Sequence, residues 1–305
     1  MSVKAKSVSR AYAKREFVTV GLVLIIYCLF VLYIPILVKE LLVLYNMQEF
    51  MNVNLNLLAS LLCLTIGSLL PFILLRVKSQ KKLADFNNKS NAPFREHMVN
   101  FIVFFAVSSG LIFATMMVSQ YINVPGRLVS NIGVTFNGQY MKDYLYIVSF
   151  ILVAPILEEY AFRGALLNCL SRYGKYFAII ASSLIYALAH GSFVEMIPSF
   201  FMGLILSKKS LYYKSIKPCM FIHVLFNAAI YGLVMVPEKY SLYMVGFLVL
   251  MIALAVVLLV SKEYRLVRVK KSESNKKVGL LFLSTSTVIL AILLFLGHSA
   301  LLLII

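Results

Sequence analysis

Charged residues are scarce in this sequence, and acidic residues are the scarcest of them. Only 13% of the 305 residues are charged, and 12 Asp and Glu residues stand against 29 Lys and Arg residues. Soluble domains usually carry about 25% charged residues. The chain is also 61% hydrophobic, with a mean hydropathy of +0.90, which is more apolar surface than a soluble fold can bury. These figures exclude an ordinary soluble domain and indicate an integral membrane protein.

The excess of basic residues does not indicate a nucleic-acid-binding protein. A net charge of +17 would suggest a nucleic-acid partner if the protein were soluble. Here the Lys and Arg residues lie between apolar runs, so the surface of the lipid bilayer explains them better. We therefore predict the bilayer, and no nucleic acid, as the surface that these residues meet.

Cysteine is rare and shows no functional pattern. The four cysteines lie in or at the edge of apolar segments: Cys28, Cys63, Cys169 and Cys219. They are not at metal-ligand spacing and need no disulfide. We interpret them as small buried apolar side chains.

Long apolar runs predict the architecture, because a helix needs about 20 mostly apolar residues to cross a bilayer. The nine candidate spans are Phe17–Val38, Leu55–Leu75, Met98–Gln120, Tyr144–Leu167, Tyr176–His190, Phe193–Ser207, Pro218–Met235, Leu242–Ser261 and Val278–Leu296. The fifth and sixth are short and nearly continuous, so eight spans with a re-entrant segment are the alternative. The predicted fold is an all-α, polytopic transmembrane helix bundle.

The distribution of basic residues predicts the orientation, since cytoplasmic loops are enriched in Lys and Arg. With nine spans and a cytoplasmic N-terminus, nearly all of the 29 basic residues fall on the cytoplasmic side. The exceptions are Lys39, Arg127, Lys142 and Lys239. We divide the chain into a three-span region with a basic tail and loop (1–143), a central region (144–235) and a two-span region (236–305).

Polar residues inside the predicted spans indicate function. An ionisable side chain within a span costs roughly 2.5–3.5 kcal/mol on insertion, so each one is a candidate functional residue. The candidates lie in the fourth, fifth and seventh predicted spans: Glu158, Glu159, Arg163, His190, His223 and Asn227.

Helical spacing assigns different tasks to these side chains. Glu159 and Arg163 are four residues apart, in the orientation that favours an ion pair, so Arg163 can neutralise Glu159. Glu158 points about 100° away around the helix and is left to act as a base for water.

The remaining three polar residues complete the predicted chemistry. His223 and Asn227 share one helix face and could donate hydrogen bonds to a developing oxyanion. His190 is then free to position the water or to relay its proton.

Each of these residues also has a purely structural interpretation. Glu159 and Arg163 could form a buried ion pair that only fixes helix packing. His223 and Asn227 could be a hydrogen-bonded clip between spans, and His190 could face lipid headgroups. The clustering of all of them favours chemistry. By contrast, we interpret Tyr186 as a packing aromatic and Glu195 as a helix cap.

At these positions the sequence resembles the CPBP family of membrane peptidases, also called Abi or type II CAAX endopeptidases. The family motifs are EExxxR, F/YxxxH, a helix rich in small residues and HxxxN. They correspond here to Glu158-Glu159-x-x-x-Arg163, Tyr186-x-x-x-His190, the stretch Phe200-Phe201-Met202-Gly203-Leu204 and His223-x-x-x-Asn227. Tyr186 replaces the commoner Phe. Order and spacing both match, which makes the motifs together much more specific than any one alone.

The resemblance implies a glutamate-dependent intramembrane endopeptidase with residues 144–235 as its catalytic core. Glu158 and His190 would activate water, His223 and Asn227 would stabilise the oxyanion, and Glu159 and Arg163 would support them. The expected substrate is a membrane-associated peptide or protein. The expected location is a cell membrane, with the bacterial plasma membrane favoured.

Three alternatives remain open at this point. The chain could be a non-catalytic immunity or regulatory protein that binds another membrane protein, since fold alone does not fix chemistry. It could be a transporter, since intramembrane carboxylates also serve proton relays. No cofactor is predicted; zinc is a lesser alternative because Glu and His are zinc ligands but HExxH is absent.

Overall fold

The computed structural model describes residues 10–45, 53–78, 92–121, 147–264 and 274–304. These residues fold into helices joined by short turns, so the predicted all-α class is confirmed. The N-terminal basic tail, most of the two basic loops predicted from the sequence, and the first residues of the fourth predicted span lie outside the described residues.

Four helices form the N-terminal part. Helix α1 (Arg10–Cys28) continues through a π-helical turn (Leu29–Tyr33) into α2 (Ile34–Leu44). Helices α3 (Val53–Lys78) and α4 (Phe94–Tyr121) follow. Helix α1 packs against α3.

Residues 149–171 form one continuous helix, which we call the acidic helix because it carries the two adjacent glutamates. It is not a regular α-helix. It starts with a π-helical stretch (Ser149–Val153), continues as α5 (Ala154–Glu158), widens again into a π-helical stretch (Glu159–Leu166) and ends as α6 (Leu167–Ser171). Such π-helical insertions occur frequently at functional sites.

Three helices follow the acidic helix through tight turns: α7 (Lys175–Ala189), α8 (Phe193–Tyr213) and α9 (Lys217–Val234). Gly174 and Gly191 flank α7 with φ angles of 127° and 73°. Side chains with a Cβ rarely adopt such angles, so glycine allows the chain to turn sharply at both ends of α7.

The C-terminal part contains α10 (Ser241–Val260), preceded by a 3-10 turn (Glu238–Tyr240), and then α11 (Ser274–Leu283) and α12 (Ser286–Ile304). The two last helices meet at an angle of 66°. Helix α12 packs along α1, so the first and last helices of the described chain lie side by side.

Helix length and composition support a membrane-embedded protein. Within the described residues, three helices are long and apolar enough to cross a bilayer unaided: Arg10–Val38, Phe94–Thr115 and Leu242–Val260. The bent pair α11 and α12 would provide a fourth if it counts as one span. Shorter apolar helices cover Leu61–Val77, Lys175–Ala189 and Lys217–Leu233. A helical membrane protein is therefore confirmed, and the number of nine spans stays a prediction.

A cluster of aromatic rings holds other helices around the acidic helix. Phe162 lies at its centre and is 1% exposed. The ring of Tyr27 in α1 lies 5.7 Å from it, that of Phe72 in α3 lies 5.9 Å away, and that of Tyr186 in α7 lies 5.1 Å away. Edge-to-face pairs at such distances add stability beyond simple burial. The acidic helix is thus surrounded by elements from both outside and inside the central region.

Helices α7 and α8 approach each other at Gly203. A Cβ atom placed on Gly203 would lie 2.9 Å from Cβ of Ser183, which is closer than real side chains allow. Small residues commonly permit such close packing between membrane helices. The motif stretch around Gly203 therefore has a packing role in this structure.

A buried ion pair joins α1 to the end of the acidic helix. Arg172 Nη1 lies 2.8 Å from Oε1 of Glu16, and the Tyr173 hydroxyl also donates to Glu16. Burial and this hydrogen bond raise the pKa of Tyr173 above its ordinary value, so the hydroxyl keeps its proton and remains a donor. Arg172 further donates to the Tyr12 hydroxyl at 3.0 Å.

Candidate active site

The acidic helix lacks one backbone hydrogen bond just before its two glutamates, because Pro155 has no N–H to donate. The preceding π-type bond runs from the Ala154 N–H to the Ser149 carbonyl, five residues back. The next residue is Pro155, which has no N–H to donate, so the Phe150 carbonyl cannot receive the equivalent bond. Asn227 of α9 donates to this carbonyl through Nδ2 at 2.9 Å. A side chain of another helix therefore supplies a hydrogen bond to a carbonyl that the helix backbone leaves without its usual donor.

Glu159 is neutralised by two partners. Arg163 Nη1 and His223 Nδ1 lie 2.9 Å and 3.0 Å from its Oε1 atom. All three residues are buried, with exposures of 0%, 1% and 4% for Glu159, Arg163 and His223. A buried charge is tolerated only when it is paired and hydrogen-bonded. The ion pair predicted from the spacing of Glu159 and Arg163 is therefore present, and His223 of α9 completes it.

The contact with Glu159 also fixes which way His223 presents its ring. A carboxylate only accepts hydrogen bonds, so Nδ1 of His223 must carry the proton that it shares with Glu159. Nε2 points to the other side of the ring and donates only when the ring is doubly protonated. His223 can therefore offer Nε2 to a ligand while Nδ1 anchors it to the acidic helix.

Glu158 is in a different electrostatic position from Glu159. Its Oε2 atom is buried and makes no hydrogen bond within the described part of the chain. Four ionisable side chains interact electrostatically with the Glu158 carboxyl group: Tyr27, Tyr186, His190 and Glu195. Arg163, the nearby cation on the same helix, is bound to Glu159 instead. Two adjacent carboxyl groups in one helix therefore have separate surroundings.

His190 lies at the end of α7, beside the acidic helix. Its Nδ1 atom is 2.8 Å from the Tyr186 carbonyl oxygen. A carbonyl oxygen only accepts, so Nδ1 carries a proton and Nε2 of a neutral ring is left as an acceptor. Glu158 and His223 both act on His190 electrostatically. The ring is thus placed to receive a hydrogen bond near Glu158.

The structure brings most of the predicted site residues together. Glu159, Arg163 and His223 form an ion-paired cluster. His190 interacts electrostatically with Glu158, and also with His223 and Arg163 of this cluster. Asn227 also faces the acidic helix, as its spacing from His223 predicts. Its Nδ2 atom, however, donates to the Phe150 backbone carbonyl rather than to another candidate residue.

Two residues near Glu158 were not assigned to the site from the sequence. Glu195 was interpreted as a helix cap, but its carboxyl group interacts with Glu158 from the first turn of α8. Glu195 meets the criterion that was applied to the other candidates, because it is an ionisable residue within an apolar run. Tyr27 comes from α1, more than a hundred residues earlier in the chain, and no local sequence pattern indicates that contact.

The described residues do not contain a group of three or more His, Cys, Asp or Glu side chains arranged to hold a metal ion. The close carboxylate–imidazole contact, between Glu159 and His223, is shared with Arg163. This cluster is therefore arranged as a charge-balanced network.

These features define a class of protein: a helical membrane protein with a carboxylate and an imidazole held together at a buried polar site. Comparison with known families makes the assignment more specific. The Rce1-like family, described as type II CAAX prenyl endopeptidases, matches residues 139–229. This match supports the resemblance to membrane proteases that the motifs predicted, which is thereby confirmed.

The matched stretch includes all six predicted site residues and leaves the N-terminal and C-terminal helices outside it. No curated protein and no solved structure matches the chain. The family match therefore rests on the motif-bearing region, while the surrounding helices are described by the structure alone.

Proposed function

We propose that this protein is an intramembrane endopeptidase that hydrolyses a peptide bond of a membrane-associated peptide or protein, using water activated by Glu158. The single observation that carries the proposal is the difference between the two adjacent glutamates. Glu159 is held through Oε1 by Arg163 and His223, whereas Glu158 has no ion-pair partner within the described chain. A partly buried carboxylate without such a partner, beside a histidine, is suited to act as a general base.

The first step of the proposed reaction uses Glu158 and His190. Water donates one hydrogen bond to the Glu158 carboxylate and the other to Nε2 of His190. Glu158 takes the first proton, and the water oxygen attacks the carbonyl carbon of the peptide bond. A new C–O bond forms, and the carbonyl electron pair moves onto oxygen to give a tetrahedral oxyanion.

The second step uses α9. The doubly protonated form of His223 donates a hydrogen bond from Nε2 to the oxyanion while Nδ1 donates to Glu159. Asn227, whose amide has two N–H groups, can donate the one that does not bind the Phe150 carbonyl. Collapse of the oxyanion breaks the C–N bond, and the leaving nitrogen receives the proton from Glu158. Glu158 is then a carboxylate again, so the cycle needs no cofactor.

The finer topology belongs to the same proposal. We place the N-terminus in the cytoplasm, the nine predicted helical segments across or partly within the bilayer, and the chain in the bacterial plasma membrane. The concentration of Lys and Arg in alternate loops supports this orientation. The substrate would then be cleaved near the cytoplasmic side of the membrane.

The decisive experiment compares membrane peptides in cells that carry the wild type, Glu158→Gln or Glu263→Gln. Glu158→Gln removes the base but keeps the size of the side chain. We expect cleavage to fall about 10²- to 10⁴-fold, the usual loss when a general base is removed. Glu263→Gln is the matched control, since Glu263 is exposed and, among the described residues, pairs with the exposed Arg95; it should process the substrate normally.

Outcomes of this comparison separate the proposal from its main alternative. An uncleaved membrane peptide should accumulate with Glu158→Gln alone, at equal protein levels. If both variants give the wild-type peptide pattern and the wild-type phenotype, the endopeptidase proposal is wrong. The result would then favour the non-catalytic immunity or regulatory role.

A further inference from the structure

Tyr186 occupies the centre of the candidate active site. Its side chain is fully buried. The Arg163 guanidinium carbon lies 4.2 Å from the centre of its ring, and the ring of His190 lies 4.6 Å away in an edge-on arrangement. The guanidinium–ring contact is a cation–π interaction. These contacts fix the ring, and a phenylalanine ring could make both of them.

The hydroxyl group of Tyr186 is not explained by packing. It is buried and makes no hydrogen bond within the described residues. A buried Tyr hydroxyl usually finds a partner, because burying one without a hydrogen bond is costly. The hydroxyl therefore needs a role other than filling space.

The surroundings of this hydroxyl point to Glu158. The Tyr186 hydroxyl interacts with the Glu158 carboxylate both electrostatically and as a hydrogen-bonding group. The two are not within ordinary hydrogen-bond distance, since Tyr186 Oη and Glu158 Oε2 are buried without such a partner in the described residues. A donor and an acceptor that face each other at longer range thus lie in the same buried region. Catalytic hydrogen bonds are often long in a substrate-free state and shorten in the complex.

Tyr27 approaches the same carboxylate from α1. Phe162 follows Glu158 by four residues and lies on nearly the same helix face. The rings of Tyr27 and Tyr186 both pack edge-on against Phe162, with interplanar angles of 84° and 75°. Phe162 therefore holds both tyrosines beside Glu158, and Tyr27 also interacts electrostatically with it.

We propose that the hydroxyl groups of Tyr186 and Tyr27 are positioning groups that donate hydrogen bonds to the Glu158 carboxylate during the reaction. They hold one carboxylate oxygen, and the other oxygen faces His190 and the attacking water. This inference rests on the proposed peptidase function and adds two residues to it. Tyr27 lies outside the family-matched stretch, so the site is completed by the N-terminal helix.

The test is a pair of substitutions that remove only a hydroxyl group, Tyr186→Phe and Tyr27→Phe. The substrate is the membrane peptide that accumulates in Glu158→Gln cells, synthesised and presented to the purified protein in lipid vesicles. We expect kcat to fall about 10- to 100-fold for Tyr186→Phe, as for loss of a hydrogen bond to a charged group, with KM unchanged within twofold. Tyr27→Phe should reduce kcat in the same way.

The control is Tyr33→Phe, which removes a hydroxyl that donates to the Leu294 carbonyl at 2.7 Å outside the site. It should lower the thermal midpoint slightly and leave kcat unchanged. Tyr186→Phe should show the reverse: a thermal midpoint at or above that of the wild type, because the lost hydroxyl has no hydrogen bond, together with the loss of kcat.

The outcomes distinguish this inference from the proposed function. If Glu158→Gln abolishes cleavage but both Phe variants keep wild-type kcat, the tyrosines have no positioning role and only this inference fails. If Glu158→Gln causes no peptide to accumulate, the proposed function fails and the inference fails with it. A Tyr186→Phe protein that loses both stability and activity in proportion would show a structural role and also overturn the inference.

Discussion

The buried ion pair between Glu159 and Arg163 should be tested by a double-mutant cycle. The pair is 2.9 Å long and both side chains are almost completely buried. Arg163→Met leaves the Glu159 carboxylate buried with only His223 as a partner. Removing one member of a buried pair costs about 3–5 kcal/mol, which is a roughly 100- to 4,000-fold rise in the unfolding equilibrium constant.

The cycle combines Arg163→Met with Glu159→Gln. The double variant buries no unmatched charge, so it should be destabilised less than either single variant. Unfolding by SDS in mixed micelles, followed by circular dichroism, gives the free energies. The control is Arg95→Met, which breaks an exposed pair with Glu263 whose side chains are 76% and 43% exposed; it should cost less than about 1 kcal/mol. Strictly additive single costs, or an Arg163→Met cost no larger than that of the control, would refute the reasoning.

Three further substitutions test other parts of the structure. Gly203→Val should destabilise the protein by about 1–3 kcal/mol, because even a Cβ atom at this position would lie 2.9 Å from Cβ of Ser183. Gly246→Ala is the control: its Cβ would meet no atom within 4 Å, so the thermal midpoint should not change. Arg172→Met should leave the buried Glu16 with the Tyr173 hydroxyl but without its ion pair and lower the thermal midpoint, whereas full stability would contradict the packing described for α1. Asn227→Ala should reduce kcat about 10²- to 10³-fold as an oxyanion donor while costing roughly 1 kcal/mol of stability through the lost bond to Phe150; a stability loss without an activity loss would leave Asn227 with a structural role alone.

The ion-paired half of the site could be predicted from the sequence because it depends on local spacing. Glu159 and Arg163 are four residues apart, which brings them to one face of an α-helix, and they also meet in the π-helical stretch seen here. His223 and Asn227 follow the same rule, and both do reach the acidic helix. The motif order also predicts His190 as part of the site. It lies at the end of α7, and a short turn joins it to α8.

The other half of the site could not be predicted, since it depends on long-range contacts and on backbone irregularity. Tyr27 is placed beside Glu158 by the packing of α1 against Phe162, and nothing near Tyr27 in the sequence encodes this. The bond from Asn227 to the Phe150 carbonyl arises because Pro155 removes one N–H from a π-helical stretch. The proline was visible in the sequence, but the type of helix around it was not.

The contact between Tyr27 and Phe162 has a practical consequence for anyone who wishes to study the protease region in isolation. A fragment cut to the family-matched residues 139–229 would lose the ring that covers Phe162 on one side, along with Phe72 on another. Lipid or detergent would then reach the side of the helix that carries Glu158. Such a fragment is a poor substitute for the whole chain, and a lack of activity in it would not test the proposed function.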